Sequence, residues 1–484
     1  MTAAQHDRAA GVMLGMAAGD ALGAGYEFGE PFGEDVPVLM NGGGSFGWAP
    51  GEWTDDTSMA VPILQAAADG RDLRDEAVLD EIVARWVDWA KTAPDVGIQL
   101  RAVLSQTEPT ASAIRVVAKA HHDRNGRSAG NGSLMRTAPV ALAFLHDVEA
   151  LAEAARAISD LTHFEADAGD ACVIWCLAIR HAVLTGELDV RVGLDALPVD
   201  RRNLWQARFL EAESLAPSSF TRNGWVVEAL QAAWSSIYRA LAVSTDATAL
   251  RRSLENAVRG GRDTDTVAAI TGALVGARFG ASAVPASWRR AIHGWPGLRG
   301  SDLVRLAILA ANGGDADAYG WPRAERFDYS SYGDVSTLVR HPHDNRVWLG
   351  AVGSLDALPD SIDAVVSLCR VGSAQVPARI SDHIEVWLVD SSDPSKNPNL
   401  KFVLEDAADA IAAYRAEGKT VLLHCVQAMS RTPTVAALYS IRHLDVPSER
   451  ALAEVRAALP AANPKRAFRE LLESGANSSR RATL

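Results

Sequence analysis

The sequence predicts two domains, an all-α domain followed by a smaller α/β domain with a central sheet, and three observations carry that prediction. Up to Ala311, apolar residues recur at three- and four-residue steps between Gly and Pro clusters, with few alternating runs. From Arg346 onward, short apolar runs take turns with helix-like segments. Between them the chain is polar and punctuated, reading Gly-Gly-Asp, Gly-Trp-Pro, Tyr-Ser-Ser-Tyr-Gly and His-Pro-His. The expected organisation is therefore a helical domain over 1–311, a linker over 312–345 and an α/β domain over 346–484. A chain of 484 residues has room for both cores.

Individual elements follow from their spacing. Over Ala77–Ala90, Val78, Ile82, Val83, Trp86 and Trp89 share one face, leaving Asp80, Glu81 and Arg85 for solvent. In the second domain, Arg346–Gly350, Ala364–Leu368, Ile384–Val389 and Val421–Leu423 read as strands. Leu400–Ala416 reads as a helix with Phe402, Val403, Ala407, Ile411 and Tyr414 on one side, ended by Gly418. The polar segment from Ala476 to Leu484 is expected to fray.

Composition excludes several classes. Hydrophobic residues make up 48% and charged residues 22%, outside the range of disordered chains. No uncharged apolar run reaches the roughly 18 residues of a membrane span, and no basic stretch leads into an apolar one at the N-terminus. No membrane partner and a cytoplasmic location are expected. A net charge of -13 repels a phosphate backbone, which disfavours general nucleic-acid binding. Cys172, Cys176, Cys369 and Cys425 form no Cys-x-x-Cys pair, so neither a disulfide framework nor a cysteine zinc site is implied. Cys172 and Cys176 share a helix face, Cys369 ends an apolar strand, and all three are expected in cores.

Two acidic clusters stand out in the first domain, Thr54-Asp55-Asp56-Thr57 and Asp263-Thr264-Asp265-Thr266, each opening a helix. Asp263 and Asp265, two apart, face one way in an extended lead-in, whereas adjacent Asp55 and Asp56 diverge by about 100° in a helix. Carboxylates and hydroxyls without His or Cys are hard ligands, suited to Mg²⁺, Mn²⁺ or Ca²⁺. In order with them stand Gly19-Asp20-Ala21-Leu22-Gly23, Glu27, Gly130-Asn131-Gly132-Ser133, Leu161-Thr162-His163 and Gly224-Trp225-Val226. Together, from Ala9 to Trp288, this resembles the ADP-ribosylglycohydrolase family. The resemblance implies an all-helical domain with two Mg²⁺ or Mn²⁺ held by Thr54, Asp55, Asp56, Asp263, Asp265 and Thr266. It further implies a gating or catalytic role for Glu27, a diphosphate-binding loop of Gly130, Asn131, Gly132 and Ser133, and a substrate-cleft role for His163. The implied partner is an ADP-ribosylated protein or an ADP-ribose-containing small molecule. Pro62 departs from an uninterrupted helix and is expected to kink it.

In the second domain, the apolar Val421-Leu422-Leu423 precedes His424-Cys425 and a short loop to Ser430-Arg431-Thr432-Pro433, where Pro433 suits the first turn of a helix. A thiol at a helix N-terminus is activated, and a planar guanidinium grips two phosphate oxygens. This resembles the protein tyrosine phosphatase superfamily, its small dual-specificity members in particular. The resemblance implies Cys425 as nucleophile, Arg431 on the transferring phosphoryl group, Ser430 or Thr432 assisting, and His424 behind them. Asp390, at the end of the Ile384–Val389 run, is the first choice of general acid, with Asp393 the alternative. Ala428 departs from the glycine usual at its position. A bifunctional hydrolase acting on ADP-ribosyl and phosphorylated substrates is expected; the alternative is an ADP-ribose-binding module regulating a phosphatase.

Overall fold

The structure is a computed structural model that describes residues 1–105, 108–333 and 335–479. The chain divides into two compact units, the first built mainly from Gln5–Val284 and Ala291–Asp315, the second from Ala316 onward with Pro285–Arg290.

Among the described residues the first unit is helical, apart from a two-residue ladder of His293–Gly294 with Leu298–Arg299 and isolated bridges. Five of its helices position the site: α1 (Ala3–Gly23), α2 (Asp55–Ala68), α3 (Ala166–Thr185), α4 (Val226–Val243) and α5 (Thr264–Phe279). From Ala9 to Gly23 every residue of α1 is buried, so this Ala- and Gly-rich helix is enclosed on all sides and runs through the core. It meets α5 backbone to backbone. A Cβ at Gly11, Gly15 or Gly19 would lie 2.2, 2.4 or 2.0 Å from the carbonyl oxygen of Gly276, Gly272 or Ala268. Glycines at a four-residue step on α1, facing Gly272 and Gly276, let two helices approach at a distance no side chain permits. α2 continues through Pro62 to Ala68. α3 is long and apolar enough to cross a membrane by composition, and 78% of its most apolar window is buried inside the protein. The helix expected over Ala77–Ala90 spans Glu76–Ala90, with Val78, Ile82, Val83, Trp86 and Trp89 buried.

The second unit is an α/β sheet of five strands, β1 (Leu338–Arg340), β2 (Val347–Ala351), β3 (Ala364–Ser367), β4 (Asp382–Glu385) and β5 (Val421–Cys425). Their order is β1-β2-β5-β3-β4, with β1 antiparallel to β2 and the rest parallel. Two faces follow from strand alternation. Leu349, Val366, Val421 and Leu423 pack with Val403, Ile411 and Val435 of α6 (Leu400–Ala416) and α7 (Arg431–His443), while Val365 and Leu422 pack with Val352, Ile362 and Val371.

Two sequence expectations change here. The stretch 312–345 carries a strand: Leu338–Arg340 pairs with Trp348–Gly350, so the sheet begins before residue 346. A three-residue edge strand is too short to show alternation. The run Ile384–Val389 yields a strand only over Asp382–Glu385, because beyond Val386 the chain leaves the ladder. At the C-terminus the helix Arg466–Ser479 includes part of the segment expected to fray, and residues 480–484 lie outside the described residues.

Candidate functional site

The helical unit gathers its acids around the start of α2. Asp20, near the end of α1, is fully buried. Its Oδ1 accepts from Thr54 N and Thr54 Oγ1, both at 2.8 Å, and its Oδ2 accepts from Thr57 N at 2.9 Å and Thr57 Oγ1 at 2.6 Å. Asp20 thereby does the capping, since Thr54 occupies the N-cap position of α2 without making a capping bond. The Thr54 hydroxyl also lies 3.1 Å from Asp56 Oδ2, 3.3 Å from Asp265 Oδ2 and 3.4 Å from Asp55 Oδ1. One hydroxyl proton serves only one of these oxygens at a time.

Two overlapping sets of carboxylates result, Asp20, Asp56 and Asp265, and Glu27, Asp263 and Asp265, each with ligand atoms within 4.8 Å of one another. Asp56 Oδ1, Asp265 Oδ1 and Glu27 Oε2 are buried without a hydrogen-bond partner. Burial pushes Asp55, Asp56 and Asp265 well above the usual carboxylate range, and the charges that add most to it are other carboxylates. Burial and then Asp263 raise Glu27 to about 8. Among the described residues no Lys, Arg or His is paired with these oxygens, and such a donor set fits a hard divalent cation. Asp265 belongs to both sets, whereas Asp55, adjacent to Asp56, belongs to neither and meets the group through Thr54. Thr266 joins through its hydroxyl, 3.4 Å from Asp56 Oδ2.

The second set is tied to the glycine loop. Asn131 Nδ2 donates to Asp263 Oδ2 at 2.8 Å and to Asn223 O at 3.0 Å, and Asn131 N donates to Gly224 O at 3.1 Å. Gly130 and Gly132 lie against His163, whose ring a Cβ at either position would meet at 3.2 Å. The ring is held from behind: Arg136 donates to Thr162 Oγ1 at 2.7 Å, and Thr162 Oγ1 bonds His163 Nδ1 at 2.8 Å. His163 is buried, and that burial holds it well below the usual imidazole range, so it is neutral. Ser133, like Gly132 and Leu134, is buried, and its hydroxyl lies 3.7 Å from Cys172 Sγ.

Sequence reasoning passed over three groups. Asp20 stood in a landmark motif, but its role requires the glycine-mediated contact of α1 with α5. Asp95, in the connection before the helix Ile98–Leu104, acts electrostatically on Asp55 and Glu27 and is itself raised, first by burial and then by Asp263. No local signal marks it. Arg136, stacked 4.1 Å over the Trp86 ring, backs the glycine loop through Thr162 and His163.

In the second unit Cys425 ends the central strand β5, at the carboxyl edge where open α/β sheets bind ligands. Among the described residues no acceptor is found for the backbone N–H groups of Gln427, Ala428, Met429 and Ser430. Ala428 adopts φ +56°, a left-handed conformation in which glycine is at ease. Arg431 Nη1 donates to Leu368 O at 2.6 Å and Leu388 O at 3.0 Å, leaving its Nε buried without a partner. Thr432 Oγ1 is likewise buried and unpartnered, while Ser430 Oγ accepts from Lys465 N at 3.2 Å. Asp390 is exposed. Asp393 accepts from Ser395 N at 3.0 Å and Ser395 Oγ at 2.7 Å, bonds that hold it below the usual carboxylate range.

The profile of the ADP-ribosylglycohydrolase family matches residues 1–318, and the chain belongs to that family. It is 30% identical over 288 residues to the ADP-ribosylarginine hydrolase Tri1 of Pseudomonas putida (strain GB-1), covering 58% of this chain and 73% of that protein. It is also 30% identical over 295 residues to the ADP-ribosyl-[dinitrogen reductase] glycohydrolase of Rhodospirillum rubrum, covering 58% and 89%. Among solved structures, human DUSP28 aligns with a TM-score of 0.26 at 24% identity, covering 30% of this chain and 95% of that one.

Proposed function

We propose that the helical unit hydrolyses the glycosidic bond joining ADP-ribose to a modified protein or small molecule, with two Mg²⁺ or Mn²⁺ held by Thr54, Asp55, Asp56, Asp263, Asp265 and Thr266. The observation that supports this reading is the set of buried oxygens on Asp56, Asp265 and Glu27 that have no hydrogen-bond partner among the described residues. When bound, such ions polarise the vicinal ribose hydroxyls and an attacking water. Glu27 is placed to carry a proton at its free Oε2. Gly130 and Gly132 offer main-chain N–H groups to the diphosphate, while Asn131, whose own N–H is tied to Gly224 O, and His163 fix the loop's inner surface.

For the second unit the reading is hydrolysis of a phosphate monoester. The supporting observation is a loop of free N–H groups between Cys425 and the buried, unpartnered Nε of Arg431. The Cys425 thiolate attacks phosphorus, the P–O ester bond breaks, and the departing oxygen takes a proton from Asp390. Water then cleaves the S–P bond and releases phosphate. Asp390 suits the acid role better than Asp393, whose carboxylate is engaged by Ser395.

An activity panel tests both halves. Wild type, the double variant Asp55→Ala with Asp265→Ala, and Cys425→Ser are each assayed on ADP-ribosyl-arginine, ADP-ribosyl-serine and an aryl phosphate. Each variant should lose one activity and keep the other; loss of neither, or absence of ADP-ribose release by wild type with Mg²⁺ and with Mn²⁺, contradicts the reading.

A further inference from the structure

Beside the glycine loop, two side chains outside the acid sets end in polar atoms without a partner, and both ends come to the same place. Gln99, in the helix Ile98–Leu104, is half-buried, and its Nε2 donates to Ser128 O at 3.1 Å and to Thr162 O at 2.9 Å. Both partners are main-chain carbonyls, which only accept, so the amide cannot be turned over and Oε1 is the end left over. His163 is fixed from behind by the same kind of argument. Arg136 has only protons to give, so Thr162 Oγ1 accepts from Arg136 Nη2, and the Thr162 hydroxyl proton then has one acceptor among the described residues, His163 Nδ1. A proton on Nδ1 instead would leave the buried Thr162 hydroxyl without an acceptor, and an imidazolium would set a second buried cation beside Arg136. His163 is therefore the tautomer that carries its proton on Nε2.

The two ends meet at Gly130. A Cβ there would lie 3.2 Å from His163 Nε2 and 3.6 Å from Gln99 Oε1, and a Cβ at Gly132 would lie 3.4 Å from His163 Nε2. Glycine at both positions keeps Nε2 within reach of a ligand. Among the described residues neither Nε2 of His163 nor Oε1 of Gln99 has a hydrogen-bond partner. A donor beside an acceptor suits a group that can both accept and donate, which a hydroxyl does and an ionised phosphate oxygen does not. An ADP-ribosyl group carries hydroxyls on two riboses, and the function proposed above assigns those of the ribose at the scissile bond to the metal ions. We propose that Gln99 Oε1 and His163 Nε2–H bind a hydroxyl of the adenosine ribose, which donates to the first and accepts from the second, with Arg136 and Thr162 as positioning residues that hold His163 in this tautomer. The proposal rests on the ADP-ribosyl hydrolase reading of the helical unit.

The test is calorimetric titration of the full chain, with Mg²⁺ and with Mn²⁺, using ADP-ribose and its analogues lacking the 2′- or the 3′-hydroxyl of the adenosine ribose. Wild type should bind one of the deoxy analogues about tenfold more weakly than ADP-ribose. Gln99→Leu should bind ADP-ribose about as weakly as wild type binds that analogue, and should no longer tell the two apart. A merely loosened loop would weaken both ligands alike and keep the tenfold ratio, so the ratio separates ligand contact from structural support. Thr162→Val should shrink the ratio, and Thr162→Ser, which keeps the hydroxyl, should preserve it. Equal affinity of wild type for all three ligands, or an undiminished ratio in Gln99→Leu, overturns the hydroxyl site and leaves the hydrolase reading standing. An undiminished ratio in Thr162→Val, or a lost one in Thr162→Ser, overturns the positioning role. Wild type that binds no ADP-ribose with either metal overturns the hydrolase reading and the hydroxyl site together.

Discussion

Gly272→Ala is the substitution through which the helical unit's architecture is best probed. An added Cβ would lie 2.0 Å from the carbonyl oxygen of Gly15 and 2.6 Å from its carbonyl carbon. Both are backbone atoms in a buried helix, so no side chain can swing aside, and α1 and α5 must separate by about an ångström to restore van der Waals contact. Overpacking of this kind costs typically about 1–3 kcal/mol, and more where backbone meets backbone. Alanine recovers up to about 1 kcal/mol of helix propensity, leaving a net loss on the order of 2 kcal/mol. At roughly 2–4 °C per kcal/mol, Tm should drop by about 4–8 °C. The separation also pulls Asp20 on α1 away from Asp265 on α5, so stabilisation by added Mn²⁺ should weaken together with Tm. Gly97→Ala is the control, because its nearest neighbour is Leu100 Cδ1 at 3.8 Å, an ordinary contact. Thermal denaturation with and without Mn²⁺ measures both effects. A Gly272→Ala protein with the Tm and Mn²⁺ response of wild type would falsify the proposal that glycine-mediated contact assembles the acids.

Other expectations concern single sites. Ala428→Gly should stabilise the second unit by up to about 1 kcal/mol, since an L-residue in the left-handed region costs about 1–2 kcal/mol and glycine's extra entropy offsets part of the gain; an unchanged or lower urea midpoint contradicts it. His341 and His424 are lowered by burial to about 4 and about 3, so both are neutral in the fold, whereas the unfolded chain takes up protons below about 6.5. Their contribution is intact above pH 6.5 and is lost as pH falls toward 4, at about 1.4 kcal/mol per pH unit for each histidine. A Tm profile of the full chain should show this slope, reduced in His341→Gln; identical slopes in the two proteins count against the assignment. Arg431→Lys should reduce aryl-phosphate turnover by at least about tenfold, because an ammonium cannot present the paired Nε and Nη2 edge; turnover within twofold of wild type removes Arg431 from the site.

The acids of the helical unit were legible because oxygen-only clusters at two helix starts are unusual beyond what capping needs, and both clusters converge in space. What composition hides is the agent of convergence. Gly11, Gly15, Gly19 and Gly23 form a visible four-residue repeat, yet it takes the backbone of α5 facing it, at Gly276, Gly272, Ala268 and Asp265, to turn it into a helix contact. Asp20 depends on that contact, and Asp95 sits in an irregular connection without a signal. In the second unit the order of strand, thiol, loop and arginine could be read directly, together with the helix Leu400–Ala416. The strand Leu338–Arg340 could not, since three edge residues after a polar stretch carry no pattern. The structure resolves what Ala428 leaves open in sequence by placing it at positive φ. It also shows Ser133 facing the core, a direction that its place in a glycine loop does not reveal.

The decisive observation is release of free ADP-ribose from an ADP-ribosylated substrate by wild type and by Asp265→Asn, each with and without Mg²⁺ or Mn²⁺. Because Asp265 is the one carboxylate shared by the two sets, wild type should release ADP-ribose only with metal, and Asp265→Asn should lose at least about two orders of magnitude in rate. Equal release by the two proteins, or full release in the presence of chelator, contradicts a metal-assisted hydrolase built on these acids.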